Sequence, residues 1–470
     1  MKLASLTGGR PVSGAGTLTI RNPFNGQAVG EVALAARADL ERAVALARDF
    51  CDTPNRHERW RILEAAGAAL QGRREEFARL IASESGLALC EARYEVGRSL
   101  DVLRFSAIEA LQDDGQIYSA DISPQGKARK IFTIREPLRC AAAITPFNHP
   151  LNQVAHKVAP AIAAGTPLIL KPSDKTPLTA LTFATLLYEA GLPVPMLSVL
   201  LGPVDEIAEP LVRHAAVEAL LFTGSVAVGK RIAAIAGYKR LVLELGGNDP
   251  LIVLKDADLP LAAALAAEGC FRNSGQRCTA VKRILVEDGI VPEFTELLVE
   301  KTLEYVCGDP LEEATRVGTV IDEAAAIYLE TVLQEAVAAG ARVLIGGERK
   351  GAQIRPAVIA GVPRDCRMVM QESFGPLAPI VRVGNLEDAL ETANSTAYGL
   401  SSGVITTNLN SALLAIKRLR CGSVNVNEVP GFRIERSPFG GIKDSGLGIK
   451  EGVVEAIKAY SYVKTFSLPW

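Results

Sequence analysis

At 470 residues the chain is longer than one simple core supports, and it can bury enough apolar surface for two or three packed units. A hydrophobic content of 48% with a formal net charge of −2 describes a globular protein and gives no bias toward nucleic acid or anionic membrane. The eight cysteines are scattered without CxxC pairs, so neither a metal site nor a disulfide framework is indicated and reduced thiols are the default.

The opening stretch "MKLASLTGGRPVSGAG" lacks an apolar core followed by a small-residue cleavage site. No later segment approaches the roughly 20 uninterrupted apolar residues of a membrane span, so a cytoplasmic protein without a membrane partner is expected. "KARKIFTIREPL" alternates polar and apolar side chains with no adjoining helix, as a protruding ribbon or an edge-covering strand does. From about Arg139 to Lys255 short apolar runs alternate with helical patterns, which predicts a doubly wound parallel sheet. Its strands are "CAAAIT", "PLILK", "LSVLLG", "VEALLFTG" and "RLVLEL". Its helices are "LNQVAHKVAPAIAAG", closed by Gly165, then "PLTALTFATLLYEAG" and "VAVGKRIAAIAG". A second alternating series, from "AVKRILV" to "GSVNVN", predicts another α/β unit with its own sheet. The C-terminal "KAYSYVKTFSL" repeats the ribbon pattern. Two α/β units invite a cleft between them.

Residues that could carry chemistry lie at the turns of this pattern. In "NSGQRCTAVKR", Cys278 follows Arg277 in a stretch too polar for a buried strand, and a neighbouring cation lowers a thiol pKa. A small buried side chain is the alternative for any single cysteine. Glu244 ends the apolar run "LVLEL" just before Gly246 and Gly247, either as a satisfied strand-end residue or as a desolvated base. In "ITPFNHPLN", Asn148 is an oxyanion donor or a turn-former.

Taken together, "PFNHP", "KPSDKTPLTA", "FTGSVAVGK", "ELGGNDP", "GQRCTA", "ESFGPLAPI" and "SPFGGIKDSGLG" resemble the aldehyde dehydrogenase superfamily, in the family's order and across nearly the whole chain. The resemblance implies an α/β fold with a Rossmann-type cofactor domain (1–119 and 141–249) and a second α/β catalytic domain (250–443). It adds a β oligomerisation ribbon with the C-terminal strand (120–140 and 444–470), and assembly as a homodimer or homotetramer. It also implies attack by a Cys278 thiolate on an aldehyde, with the oxyanion held by Asn148 and the Cys278 backbone N–H. Hydride transfer to a nicotinamide follows, then hydrolysis of the thioester with Glu244 as base. Lys157 is implied to support Asn148 or proton traffic, a solvated helix lysine being the alternative.

The implied cofactor is NAD, with NADP possible. Lys171, Ser173 and Asp174 would meet the adenosine ribose, Asp174 favouring NAD because a carboxylate repels a 2′-phosphate. Gly224 and Ser225 open a helix that can receive the pyrophosphate, with Val228 in its first turn. Thr145, Pro146, Leu245, Gly246, Glu372 and Phe374 would line the nicotinamide end. Retention of Cys278, Glu244 and Asn148 together argues against a non-catalytic protein on this fold, and Glu244 favours water over coenzyme A as acyl acceptor.

For the substrate, family members that accept apolar aldehydes often carry an uncharged residue where this chain has Arg277. Arg98 and Arg433 lie in segments that the family presents to the substrate entrance. Each has a plainer partner: Glu95 or Glu91 for Arg98, Glu435 for Arg433, solvent for Arg277. Converging guanidinium groups suit phosphate, phosphonate or sulfonate oxygens, and help keep a thiol ionised. His149, beside Asn148, could donate to a phosphonate. The expected partner is thus a small anionic aldehyde. Phosphonoacetaldehyde, oxidised to phosphonoacetate, ranks first, glyceraldehyde 3-phosphate second, then sulfolactaldehyde and lactaldehyde.

Overall fold

Two seven-stranded sheets organise the chain, and the computed structural model describes residues 1–470 of it. In the first, five parallel strands run in the order Arg240–Glu244, Ala219–Thr223, Ala141–Ile144, Leu168–Lys171, Leu197–Val199, and the short Leu6–Thr7 and Arg10–Pro11 extend one edge antiparallel. The chain winds outward in both directions from Ala141–Ile144. Its junction with Ala219–Thr223 is therefore the switch point where such sheets open a crevice at their strands' carboxyl ends.

Alternation explains why these runs are strands. Leu168, Leu170, Leu221 and Val242 face one core with the helices Arg56–Gly72, Leu89–Ala110 and Asn152–Ala164. Ile169, Leu220 and Leu243 face the other, with Arg37–Asp49 and Val226–Ile235. Both faces are covered, so the strands read as unbroken apolar runs. Asn152–Ala164 stops at Gly165, which takes the left-handed conformation (φ 84°).

The second sheet runs Arg342–Ile345, Ala357–Ala360, Leu377–Val383, Val281–Glu287, Asp249–Val253, Ser401–Ile405, Ser423–Val426, all parallel except Arg342–Ile345. Its two faces fill two further cores, Ile252 and Leu285 in one, Leu251 and Ile284 in the other. Chain passes between the sheets through Leu245–Asn248, leaving Glu244 at the end of one sheet and Asp249 at the start of the other.

Arg129–Pro137 and Ser461–Pro469 pair antiparallel along their whole length, Ser461 opposite Pro137 and Pro469 opposite Arg129, with Ile117–Ser119 as a third strand. Within the C-terminal segment only this strand joins the ribbon. The helix Val453–Ala459 packs instead on Asn152–Ala164, placing Val453, Ala459 and Tyr460 in the first core. The N-terminal strands Lys2–Ala4, Thr17–Arg21 and Ala28–Ala33, which carry no clear sequence signal, form a separate three-stranded sheet. No helix is long and apolar enough to cross a membrane.

Candidate active site

Cys278 is delivered by a turn that only a few side chains tolerate. Asn273 and Ser274 (φ 56° and 53°) and Gly275 (φ 69°) are all left-handed, and a Cβ at Gly275 would strike the backbone of Gly375 and Pro376. Gln276 anchors the turn by accepting from Ile321 N at 2.9 Å. The Asn148 amide donates to Gln276 O at 2.8 Å, and Asn273 Nδ2 donates to Asn148 O at 3.1 Å. One N–H of the Asn148 amide thus holds it against the cysteine loop, leaving the other to donate elsewhere.

Cys278 is partly exposed and lines a cavity of about 220 Å³. Burial pushes its thiol up to about 11; Lys282 and Arg433 oppose that shift, while Asp249 and Glu372 add to it. Two sequence expectations are corrected here. The burial cost outweighs the surrounding cations, so the resting thiol is not held ionised. The principal cations acting on it are Lys282 and Arg433 rather than the adjacent Arg277.

Glu244 is 4% exposed, and neither carboxyl oxygen has a hydrogen-bond partner. Burial holds its pKa well above the usual carboxylate range, Glu451 raises it further, and Lys157 and Arg433 pull it back. Lys157 makes no hydrogen bond to Asn148, contrary to one implied role. Fully buried, its Nζ donates to Thr223 Oγ1 at 2.9 Å and to the Glu451 carboxylate. Glu451, absent from the sequence reading, is thus the buried charge behind Glu244. Only the plain tract "KEGVVEAIKAY" carries it, and nothing local marks it.

The residues expected to hold a dinucleotide gather at the carboxyl ends of the first sheet. Thr145 leaves Ala141–Ile144 with its hydroxyl buried and unpartnered. Lys171 ends Leu168–Lys171 and donates to Asp174 Oδ1 at 2.8 Å, which offsets the repulsion that Asp174 would offer a 2′-phosphate. Pro146 follows Thr145, and Ser173 Oγ accepts from Lys175 N at 3.2 Å. Gly224 precedes Ser225, whose side chain caps Val226–Ile235 at Val228 N, with the Val228 side chain largely exposed. Leu245 packs where a Cβ on Gly229 would collide, drawing that helix onto the sheet. A Cβ on Gly246 would collide with the Glu372 carboxyl, whose Oε1 accepts from Gly247 N at 3.2 Å. Phe374 (φ 56°) sets its ring edge-on to Phe147 at 5.9 Å. An orphaned hydroxyl, a helix N-terminus and a glycine cradle at a switch point fit NAD or NADP.

Around the thiol cavity the structure brings together Arg98, Arg277, Arg433 and His149. The plainer pairings do not form. Arg98 ion-pairs with Glu435, which also touches His156, and its Nη2 is buried without a partner. Arg277 donates to Glu268 O at 3.0 Å and Gly269 O at 2.9 Å, its Nε unsatisfied. Arg433 has no carboxylate partner; its guanidinium lies over the Phe439 ring at 4.0 Å. His149 Nδ1 stands 3.6 Å from Glu95 Oε2 without a hydrogen bond, while Glu95 Oε1 accepts from Leu151 N at 2.8 Å and Asn152 N at 2.9 Å. Arg272, not singled out in the sequence, also lines the wall, paired with Glu91 at 2.9 Å and Glu268 at 3.0 Å.

Residues 12–466 match the aldehyde dehydrogenase family. Among its relatives, 3-sulfolactaldehyde dehydrogenase of Priestia aryabhattai is 39% identical over 94% of this chain and 92% of its own. Sulfoacetaldehyde dehydrogenase of Neptuniibacter caesariensis is 36% identical over 96% and 99%. The solved NADP-dependent glyceraldehyde-3-phosphate dehydrogenase from Bacillus halodurans C-125, complexed with NADP, superposes with a TM-score of 0.97 at 32% identity, covering 100% of this chain and 99% of that one. With its two-sheet architecture and its cysteine turn at the seam, the chain belongs to the aldehyde dehydrogenase family, as an NAD(P)-dependent oxidoreductase.

Proposed function

We propose that the protein oxidises a two- or three-carbon aldehyde bearing a sulfonate tail to the carboxylate, through a thioester on Cys278. One observation carries the reading: Arg98, Arg277, Arg433 and His149 line the same cavity as Cys278, and Arg98 Nη2, Arg277 Nε and His149 Nδ1 lack hydrogen-bond partners. Desolvated donors are costly unless an anion completes them, and a tetrahedral oxyanion offers acceptors in several directions. Sulfonate stands first because relatives matched over nearly their full length are named for sulfolactaldehyde and sulfoacetaldehyde. Phosphonoacetaldehyde is the second reading, favoured by the unpartnered Nδ1 of His149.

The chemistry follows from placement. The Cys278 thiol passes its proton to water in the cavity as the sulfur bonds to the aldehyde carbon, and the Asn148 amide with the Cys278 N–H donates to the oxygen as it gains charge. A bound NAD or NADP supplies the hydride acceptor. Glu244 then takes a proton from the water that opens the thioester.

The test compares kcat/KM for 3-sulfolactaldehyde, sulfoacetaldehyde, phosphonoacetaldehyde and acetaldehyde in wild type and Arg433→Ala. Truncation should cost the anionic substrates on the order of 2 kcal/mol and leave acetaldehyde nearly unchanged. Equal losses on all four, or preference for acetaldehyde in the wild type, would remove the anionic assignment.

A further inference from the structure

Lys282 has no part in the mechanism above, yet it is among the most deeply buried cations of the chain, 1% exposed near the start of Val281–Glu287. That strand is covered on both faces, so an apolar side chain would serve the packing better than an ammonium. The side chain turns back toward the nucleophile. Its Nζ donates to Arg277 O at 2.7 Å and to Cys278 O at 2.9 Å. Glu372 Oε1 is 3.5 Å away and the Phe374 ring centroid 5.9 Å. No carboxylate stands at full hydrogen-bond distance, so much of the compensation for this buried charge comes from the two carbonyls that flank Cys278.

Those carbonyls have consequences. The Arg277 carbonyl and the Cys278 N–H are the two ends of one peptide group. A donor on the oxygen polarises the whole unit, making the N–H a stronger donor toward a developing oxyanion. The same positive charge acts on the sulfur. We propose that Lys282 is a positioning residue for the nucleophile: it fixes and polarises the peptide that carries Cys278, and its charge favours the thiolate. Glu372 restrains it, because that carboxyl faces Lys282 from the loop after Arg367–Met370 and draws on the same charge. The other charged groups acting on the sulfur are Arg433 on the loop before Phe439 and Asp249 at the start of its strand. The proposal rests on Cys278 being the nucleophile, and its test does not require turnover.

The experiment follows the rate at which iodoacetamide alkylates Cys278, read by peptide mass, as a function of pH in wild type, Lys282→Met, Lys282→Arg and Glu372→Gln. Removing the ammonium should move the midpoint upward by about one pH unit, near tenfold less thiolate at a given lower pH. Lys282→Arg should recover at least half of that shift. Glu372→Gln, which leaves Lys282 in place, should move the midpoint the opposite way, and this holds the idea to account if Lys282→Met does not fold. An unchanged midpoint in folded Lys282→Met, or in Glu372→Gln should the methionine variant not fold, overturns the proposal. Midpoints that shift as expected in a protein that oxidises no aldehyde would sink the functional reading and leave the role of Lys282 standing.

Discussion

A carboxyl group with no partner on either oxygen is an unusual thing to bury, and Glu244 is one. Because burial holds its pKa above the ordinary carboxylate range, more of it is ionised as pH rises, and acyl hydrolysis should rise with it. Glu244→Gln should therefore keep a burst of reduced cofactor of one equivalent per site while slowing steady turnover by on the order of 10²–10⁴-fold, and should lose that pH dependence. A variant with no burst would show that Glu244 acts before the thioester forms. Cys278, Asn148 and Glu244 were visible in the sequence because each sits in a local motif at a strand end. Glu451 and Arg272 were not, because their partners Lys157 and Glu91 are remote in sequence, and Glu435 was assigned to nearby Arg433 whereas it pairs with remote Arg98. Pairing at such separation leaves no periodic or local trace. Arg277 was visible but misread: adjacency in sequence suggested a cation on the thiol, whereas the side chain turns to the Glu268 and Gly269 carbonyls.

Two helices of the first sheet start without caps of their own, and glutamates from other helices supply them. Asn152–Ala164 and Pro177–Glu189 lack side-chain caps at their N-caps. Glu95 accepts from the first of these, and Glu84 from the second, at Leu178 N (2.8 Å) and Thr179 N (3.0 Å). No capping box marks either start, whereas the helices themselves were legible from apolar spacing and from Gly165. The Glu84 carboxyl is pushed up to about 7 by burial, against an ordinary 4.5. The folded state then holds a proton that the unfolded chain releases, so stability falls as pH rises from about 4.5 to about 7, by roughly 3 kcal/mol at most. Glu84→Gln removes that titration. Its melting temperature relative to wild type should climb steadily from pH 5 to pH 8 in scanning calorimetry. Parallel curves would mean that Glu84 is ionised throughout and that its backbone partners outweigh burial.

At the scale of the molecule, the two sheets account for almost all of the buried core, and the ribbon does not share it. Ile134, Val463, Phe466, Leu468 and Trp470 remain exposed on strands that no helix covers, with Phe132 and Phe466 stacked at 5.3 Å. A three-stranded ribbon of this kind has too little core to hold its shape alone, and its apolar surface is what a second copy would bury. The alternation of "KARKIFTIREPL" and "KAYSYVKTFSL" revealed both long strands, since period-2 patterning is local. Register could not be read the same way, because it is set by where Tyr460 and Leu138 enter the first core. Phe466 and Leu468 lie two residues apart and so share one face of the terminal strand, and Trp470 follows directly after its end. Charging that face should break assembly without touching the cysteine turn. Light scattering coupled to size exclusion should find wild type at two or four chains, and Leu468→Glu with Trp470→Glu at a lower mass with the same circular dichroism. If the double variant keeps the wild-type mass, this face of the ribbon is not where the copies meet. A monomeric wild type would leave the apolar ribbon without the role its exposure demands.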